Sequence, residues 1–192
     1  IALRYKKYST KKILKDFFAI KQNISSYLFV IVFLFLDFCY VAFDGKLALN
    51  AWYIPIILFL KAILFGGIEE IGWRYFFQPT LQEKIPYFSA TLITFLAWSS
   101  WHLLYFYIDG SLAVIQLFPF LVGLLINCFI LSALYHKTQN LWICVMTHAC
   151  INSLSQILVN EEVWLSIVSK FLIISLAIMI ARKKYVTVKE EK

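Results

Sequence analysis

Six long apolar runs, separated by short polar breaks, constrain this chain to a narrow set of folds. A run of roughly 20 apolar residues is long enough to cross a bilayer as a helix. Apolar residues make up 61% of the 192 residues and charged residues only 15%, whereas about a quarter of the residues in soluble domains are charged. We therefore predict an all-α protein, a polytopic transmembrane helical bundle with about six spans.

The runs give approximate limits for the spans. The predicted spans cover residues 24–43, 49–81, 87–108, 112–135, 141–159 and 163–181. The second run is longer than one crossing requires, so the membrane could enclose either residues 51–70 or residues 60–81. We favour the second window, because it brings Glu69 towards the depth of two histidines in later runs.

The basic residues predict the orientation of the bundle. With the N-terminus inside, 15 of the 18 Lys and Arg residues fall on the cytoplasmic side, as the positive-inside rule requires. This predicts a multi-pass protein of the cell membrane with both termini in the cytoplasm. The net charge of +7 is concentrated at the chain ends, a pattern that favours contact with the lipid bilayer over nucleic-acid binding.

These assignments divide the chain into three parts. Residues 1–23 form a basic cytoplasmic or interfacial segment, residues 24–181 form the transmembrane domain, and residues 182–192 form a basic cytoplasmic tail. The residues that suggest chemistry lie within about residues 50–160 of the transmembrane part. The chain begins with Ile rather than Met, from which we expect that residues precede it in the whole protein.

Two adjacent carboxylates and an arginine lie together near the end of the second run, as Glu69-Glu70-Ile-Gly-Trp-Arg74. Charged groups at membrane depth are costly and usually face a protein interior or a wet cavity. Residues four apart share a helix face, so we expect Glu70 to pair with Arg74. Glu69 points elsewhere, has no partner nearby in sequence, and is the candidate general base.

Two further spans carry a polar pair with helical spacing. His148-x-x-x-Asn152 places two hydrogen-bond donors on one face, where they could stabilise an oxyanion. Trp98-x-x-x-His102 allows Trp98 to line the site or to orient the imidazole. A water held between Glu69 and His102, facing the donors, would make a peptide hydrolase. Each of these groups also has a structural interpretation. Glu69 and Glu70 could be a solvated carboxylate pair, the histidines could be packing residues, and Asn152 could join two helices.

The cysteines indicate neither a disulfide framework nor a zinc site. Cys39, Cys128, Cys144 and Cys150 all fall within apolar runs. No Cys-x2-Cys or His-Glu-x-x-His spacing is present, and these are the usual signatures of zinc sites. We interpret the four residues as small apolar packing residues.

The three polar motifs, in this order on separate apolar runs, resemble the CPBP family. This is the type II CAAX prenyl protease and bacteriocin-processing group of intramembrane proteases, which includes self-immunity proteins. The matching motifs are Glu69-Glu70-x-x-x-Arg74, Trp98-x-x-x-His102 and His148-x-x-x-Asn152. The family usually has Phe where this chain has Trp98, a conservative difference.

The resemblance implies a helical membrane endopeptidase that acts on a membrane-associated protein or peptide. By this resemblance Glu69 and His102 activate water, His148 and Asn152 form the oxyanion hole, and Glu70, Arg74 and Trp98 support them. Relatives were long called metalloproteases, in which case Glu69, His102 and His148 would hold zinc. We favour the metal-free glutamate mechanism, with no cofactor, because this set matches the usual zinc ligands poorly.

Three other functions remain as alternatives at this stage. The first is the metal-dependent protease, and the second is a non-catalytic immunity or scaffold protein with the same fold. The third is a proton-coupled transporter, which ionisable groups on several spans would also suit. The Lys-, Ile- and Phe-rich composition favours a bacterial source and hence processing of a pheromone or bacteriocin.

Overall fold

The computed structural model describes residues 9–39, 41, 46–47, 49, 51–159 and 163–182. The helices are α1 (Thr10–Phe17), α2 (Ile24–Phe38), α3 (Ile54–Gly72), α4 (Gln78–Gln82), α5 (Tyr87–Ile108), α6 (Leu117–Thr138), α7 (Leu141–Ile157) and α8 (Val163–Arg182). A two-residue antiparallel pair joins β1 (Lys46–Leu47) to β2 (Leu158–Val159). The helical prediction is confirmed, whereas the break predicted between the first two spans, after residue 43, lies largely outside the described residues.

Predicted helix limits are wrong at the start of α3, which is Ile54 rather than residue 49, and at both ends of α6. Helix α6 begins at Leu117 rather than near Leu112, because a 3-10 turn (Ser111–Ala113) intervenes. It also continues past residue 135, the predicted end of the fourth span, and ends at Thr138. Gln139 then adopts a left-handed conformation, with φ 49°. Asn140 starts α7 by accepting a hydrogen bond from the Ile143 backbone N–H at 3.0 Å, as helix-capping residues do.

The turn after α5 is defined by short polar contacts. Gly110 has φ 77°, a conformation that glycine adopts without a steric penalty. The Asp109 carboxylate accepts hydrogen bonds from the backbone and the hydroxyl of Ser111. These bonds hold the pKa of Asp109 below its usual range, because they favour the ionised form.

Helix α7 lies at the centre of the fold, packed mainly against α3 and also against α1, α2 and α6. It shares with α6 a core of almost completely buried side chains that includes Leu131, Leu134, Ile143 and Val145. The outer helices instead expose large apolar side chains, such as Phe65 on α3, which is 70% exposed. An extensive exposed apolar surface of this kind is typical of contact with lipid or a partner.

Among the described residues, two helices are long and apolar enough to cross a membrane, judged by length and composition alone. They are Leu117–Thr138 and Leu165–Arg182. Helices α2 and α7 are apolar but shorter. The expectation of about six spans stays a prediction.

The contact between α3 and α7 is close because two adjacent positions on α3 lack side chains. A Cβ atom on Gly67 would lie 2.8 Å from Val145 Cγ1, and one on Gly66 would lie 2.8 Å from Asn152 Nδ2. Small residues of this kind allow neighbouring helix backbones to approach closely. The carboxylate pair that follows on α3 is thereby brought against the polar residues of α7.

The segment after α3 stays helical but is not a continuous α-helix. A π turn (Trp73–Phe77) separates α3 from α4. Single π turns of this kind occur frequently at functional sites. This one contains Arg74 and directly follows the turn of α3 that carries Glu69 and Glu70.

Candidate active site

Glu70 is a completely buried carboxylate that joins α3 to α7. Its Oε1 accepts a hydrogen bond from Arg74 Nη1 at 3.3 Å and one from His148 Nδ1 at 2.7 Å. The pairing with Arg74 was expected from their spacing. The bond to His148 was not, because the two residues are 78 positions apart. As an ionised carboxylate can only accept, Nδ1 of His148 carries a proton.

Arg74 is also completely buried. Its positive charge is stabilised by an aromatic ring as well as by Glu70. Its Cζ lies 4.3 Å from the centre of the Trp98 ring, within the range of a cation–π contact. Among the described residues, Arg74 Nε and Nη2 and Glu70 Oε2 have no hydrogen-bond partner. The cluster therefore depends on a small number of direct contacts.

Glu69 is only partly buried and makes a different contact from that of Glu70. Its Oε2 accepts a hydrogen bond from Trp98 Nε1 at 2.7 Å. The sequence predicted that Glu69 has no partner close to it along the chain. It did not predict the bond to Trp98 on α5. An indole N–H can only donate. The bond therefore orients Glu69 as a hydrogen-bond acceptor. Oε1 of Glu69 is left to interact with another group.

His102 is oriented by the backbone of its own helix. Its Nδ1 lies 3.0 Å from the carbonyl oxygen of Trp98, to which it donates because a carbonyl oxygen can only accept. The neutral ring then keeps Nε2 as an acceptor. The rings of Trp98, Phe106 and Phe120 pack around the imidazole, with centre-to-centre distances of 5.5, 5.9 and 5.2 Å.

His148 and Asn152 meet at Gly66. His148 Nε2 and Asn152 Nδ2 would lie 3.0 Å and 2.8 Å from a Cβ atom on this glycine. Gly66 lies one helical turn before Glu69 and Glu70 on the same side of α3. The centre of the Trp98 ring is 5.4 Å from that of His148, so Trp98 contacts both imidazoles.

The seven predicted site residues therefore form one connected cluster on α3, the π turn, α5 and α7. Trp98 connects Glu69, Arg74, His102 and His148, and Gly66 positions His148 and Asn152. We had predicted Trp98 only as a wall or as an orienting group for His102. The sequence feature that could have predicted the contact is the indole N–H of Trp98. It is a hydrogen-bond donor on the same helical face as His102, and such a donor can bind a carboxylate.

The same geometry does not assemble a metal-ligand set. Within the described part of the chain, no three side chains of His, Cys, Asp or Glu are grouped so that they could hold a metal ion. Glu69, His102 and His148 do not fit a zinc centre in this arrangement, and no reaction step is assigned to a metal.

Sequence comparison identifies the class of protein. The profile of the Rce1-like family, described as type II CAAX prenyl endopeptidases, matches residues 49–154. This segment is more than half of the chain and contains all seven site residues, so the chain belongs to the Rce1-like family. The resemblance noted from the three motifs is thereby confirmed.

A curated relative supports this assignment over a shorter segment. The "CAAX prenyl protease 2" of Methanococcus maripaludis is 28% identical over 69 residues, which are 36% of this chain and 25% of that protein. The chain thus spans about a quarter of the length of this relative. No solved structure matches the chain.

Proposed function

We propose that this protein is an intramembrane endopeptidase of the CAAX type, which hydrolyses a peptide bond with water activated by Glu69. The observation that carries the proposal is the position of Glu69. Its carboxylate is held by Trp98 at 2.7 Å, one helical turn from the glycine where His148 and Asn152 meet. A base and two potential oxyanion donors are thus positioned by one short stretch of α3.

In the proposed reaction, Glu69 Oε1 takes a proton from a water molecule while His102 Nε2 accepts the second hydrogen bond of that water. The oxygen attacks the carbonyl carbon of the scissile bond, and the negative charge on the carbonyl oxygen is stabilised by donors from α7. Glu69 then returns the proton to the leaving nitrogen, so that the C–N bond breaks and the carboxylate is restored.

The donor role of His148 depends on Glu70. Because Nδ1–H of His148 is donated to Glu70, Nε2 can donate only when the imidazole carries two protons. Glu70 orients the ring through its bond to Nδ1–H, and Arg74 holds the carboxylate in place. Asn152 Nδ2 carries hydrogens in every state and supplies the second donor.

The membrane placement supports the same proposal. The Rce1-like family is membrane-embedded, and the chain combines two helices of spanning length with exposed apolar side chains on other helices. We propose a multi-pass bacterial membrane protein with both termini in the cytoplasm, a transmembrane domain at residues 24–181 and a peptide or membrane protein as substrate. The basic flanks of the apolar runs support this orientation.

Cleavage of a defined peptide tests the proposal directly. The full chain, reconstituted in liposomes, is expected to cleave a peptide that ends in a prenylated CAAX sequence, and EDTA is expected to leave the rate unchanged. The fragments would be identified by mass spectrometry. Failure to cleave this peptide or its unprenylated counterpart would contradict the proposal, and a loss with EDTA that zinc restores would favour the metal-dependent alternative.

Trp98→Phe isolates the hydrogen bond to Glu69. Phenylalanine keeps an aromatic ring beside Arg74 but removes the N–H donor. A hydrogen bond to a charged group contributes about 1.5–3 kcal/mol, so we expect kcat to fall about 10- to 100-fold with KM little changed. Trp101→Phe, on the exposed face of the same helix, is the control. An unchanged kcat in Trp98→Phe would exclude this role for the indole.

A further inference from the structure

A cavity of about 530 Å³ lies among α2, α6, α7 and α8. Two opposite charges line it, Asp37 from α2 and Lys170 from α8, together with the polar side chains of Asn127, Ser155 and Ser166. Its lining within the described residues includes none of the seven candidate active-site residues. The cavity is therefore a separate feature of the fold.

The two charges line the same cavity but are not joined in a salt bridge among the described residues. The salt bridges of that part of the chain involve Glu70, whereas Asp37 and Lys170 attract each other at longer range. The Lys170 ammonium donates a hydrogen bond to Ser166 Oγ. Charges at membrane depth are usually kept where they serve a binding site or an ion pathway.

The cavity extends from one end of the helices that form it towards their middle. Asp37 is the penultimate residue of α2, Phe118 the second residue of α6, and Ser155 lies close to the end of α7. Lys170 is about two turns from the start of α8. Asn127 lies near the middle of α6, so in a bilayer the polar lining extends towards the membrane centre from the side opposite the basic N-terminal segment.

Strongly apolar side chains surround this end of the bundle. Phe118 is 79% exposed, Phe171 69% and Phe35 67%, and each is near a cavity-lining residue in sequence. Such side chains would contact acyl chains in a bilayer. A molecule with a zwitterionic polar end and attached apolar chains therefore matches both the lining and its surroundings.

We propose that this cavity binds the headgroup of phosphatidylethanolamine. The phosphate would pair with Lys170, and the primary ammonium would donate to the Asp37 carboxylate and to the side-chain oxygens of Asn127 and Ser155. A choline headgroup has no N–H to donate to these acceptors, and a phosphatidylglycerol headgroup has no cation for Asp37. The volume falls within the roughly 300–1,000 Å³ of typical ligand pockets.

Native mass spectrometry of the full chain in detergent tests this proposal. Each of three lipids with identical acyl chains would be added separately: phosphatidylethanolamine, phosphatidylcholine and phosphatidylglycerol. We expect phosphatidylethanolamine to bind about 10-fold more tightly than either other lipid, and Lys170→Met and Asp37→Asn each to reduce its binding about 10-fold. Lys61→Met, which removes an exposed lysine from α3 outside the cavity, is the control and should bind normally.

A second variant blocks the cavity without removing a charge. Gly123 lines the cavity, and a Cβ atom there would meet no other atom within 4 Å. Gly123→Leu should therefore fold and abolish binding, whereas Gly72→Leu, at an equally open position outside the cavity, should not affect it. Equal binding of the three lipids to the wild type, or normal binding by Gly123→Leu, would overturn the proposal. Neither result depends on peptide cleavage.

Discussion

Glu69→Gln is expected to lower the rate of peptide cleavage by about 10³-fold while leaving the protein folded. General acid–base catalysis contributes typically about 10²–10⁴-fold, and an amide cannot take the proton of the attacking water. The amide oxygen can still accept the hydrogen bond that Trp98 donates to Glu69 at 2.7 Å. The substitution therefore removes the chemistry and preserves the contact.

The measurement is kcat for the prenylated peptide, together with the thermal unfolding temperature of each variant. Glu83→Gln, which changes an exposed carboxylate after α4, is the matched control and should retain full activity. His102→Ala should also be strongly impaired. If Glu69→Gln and His102→Ala both keep the function of the wild type in the cell, the non-catalytic scaffold alternative is favoured.

Glu70→Ala is expected to have the largest effect on stability. It removes the partner of Arg74 and of His148, both buried, and leaves an unpaired guanidinium in the interior. Removing one partner of a buried ion pair costs about 3–5 kcal/mol. The free energy of unfolding, measured in mixed micelles by loss of helicity, should fall by that amount.

A double-mutant comparison separates this effect from a simple loss of packing. Removing the second charge as well, in Glu70→Ala/Arg74→Met, should recover a large part of the lost stability, because no uncompensated charge remains. The double variant should still lack activity, since His148 no longer has its carboxylate. A double variant no more stable than Glu70→Ala would show that the pair is not the source of the stability.

Local spacing was enough to predict part of this site. Glu70 and Arg74 are four apart on a helix, so their pairing follows from helix geometry. The helix of residues 87–108 was predicted with its observed limits, because an uninterrupted apolar run lies between Pro86 and the Asp109-Gly110 turn. Local sequence is informative where neighbours along the chain decide the structure.

The remaining contacts depend on how distant helices pack. The bonds Trp98–Glu69 and Glu70–His148 join residues 29 and 78 positions apart, and no periodicity within one helix predicts them. The delayed start of α6 and the π turn after Gly72 were likewise missed. Both replace the regular helical geometry that an apolar run suggests, although most of the residues involved are apolar or aromatic.

The absence of a side chain at Gly66 links backbone packing to the arrangement of the donors. Any other amino acid there would place an atom 2.8 Å from Asn152 Nδ2 and 3.0 Å from His148 Nε2, closer than carbon and nitrogen atoms normally approach. The identity of residue 66 can therefore help to distinguish active homologues from inactive ones. A homologous sequence that keeps every acid and histidine but has lost this glycine would encode a displaced pair of donors, and inspection of the polar motifs alone would miss it.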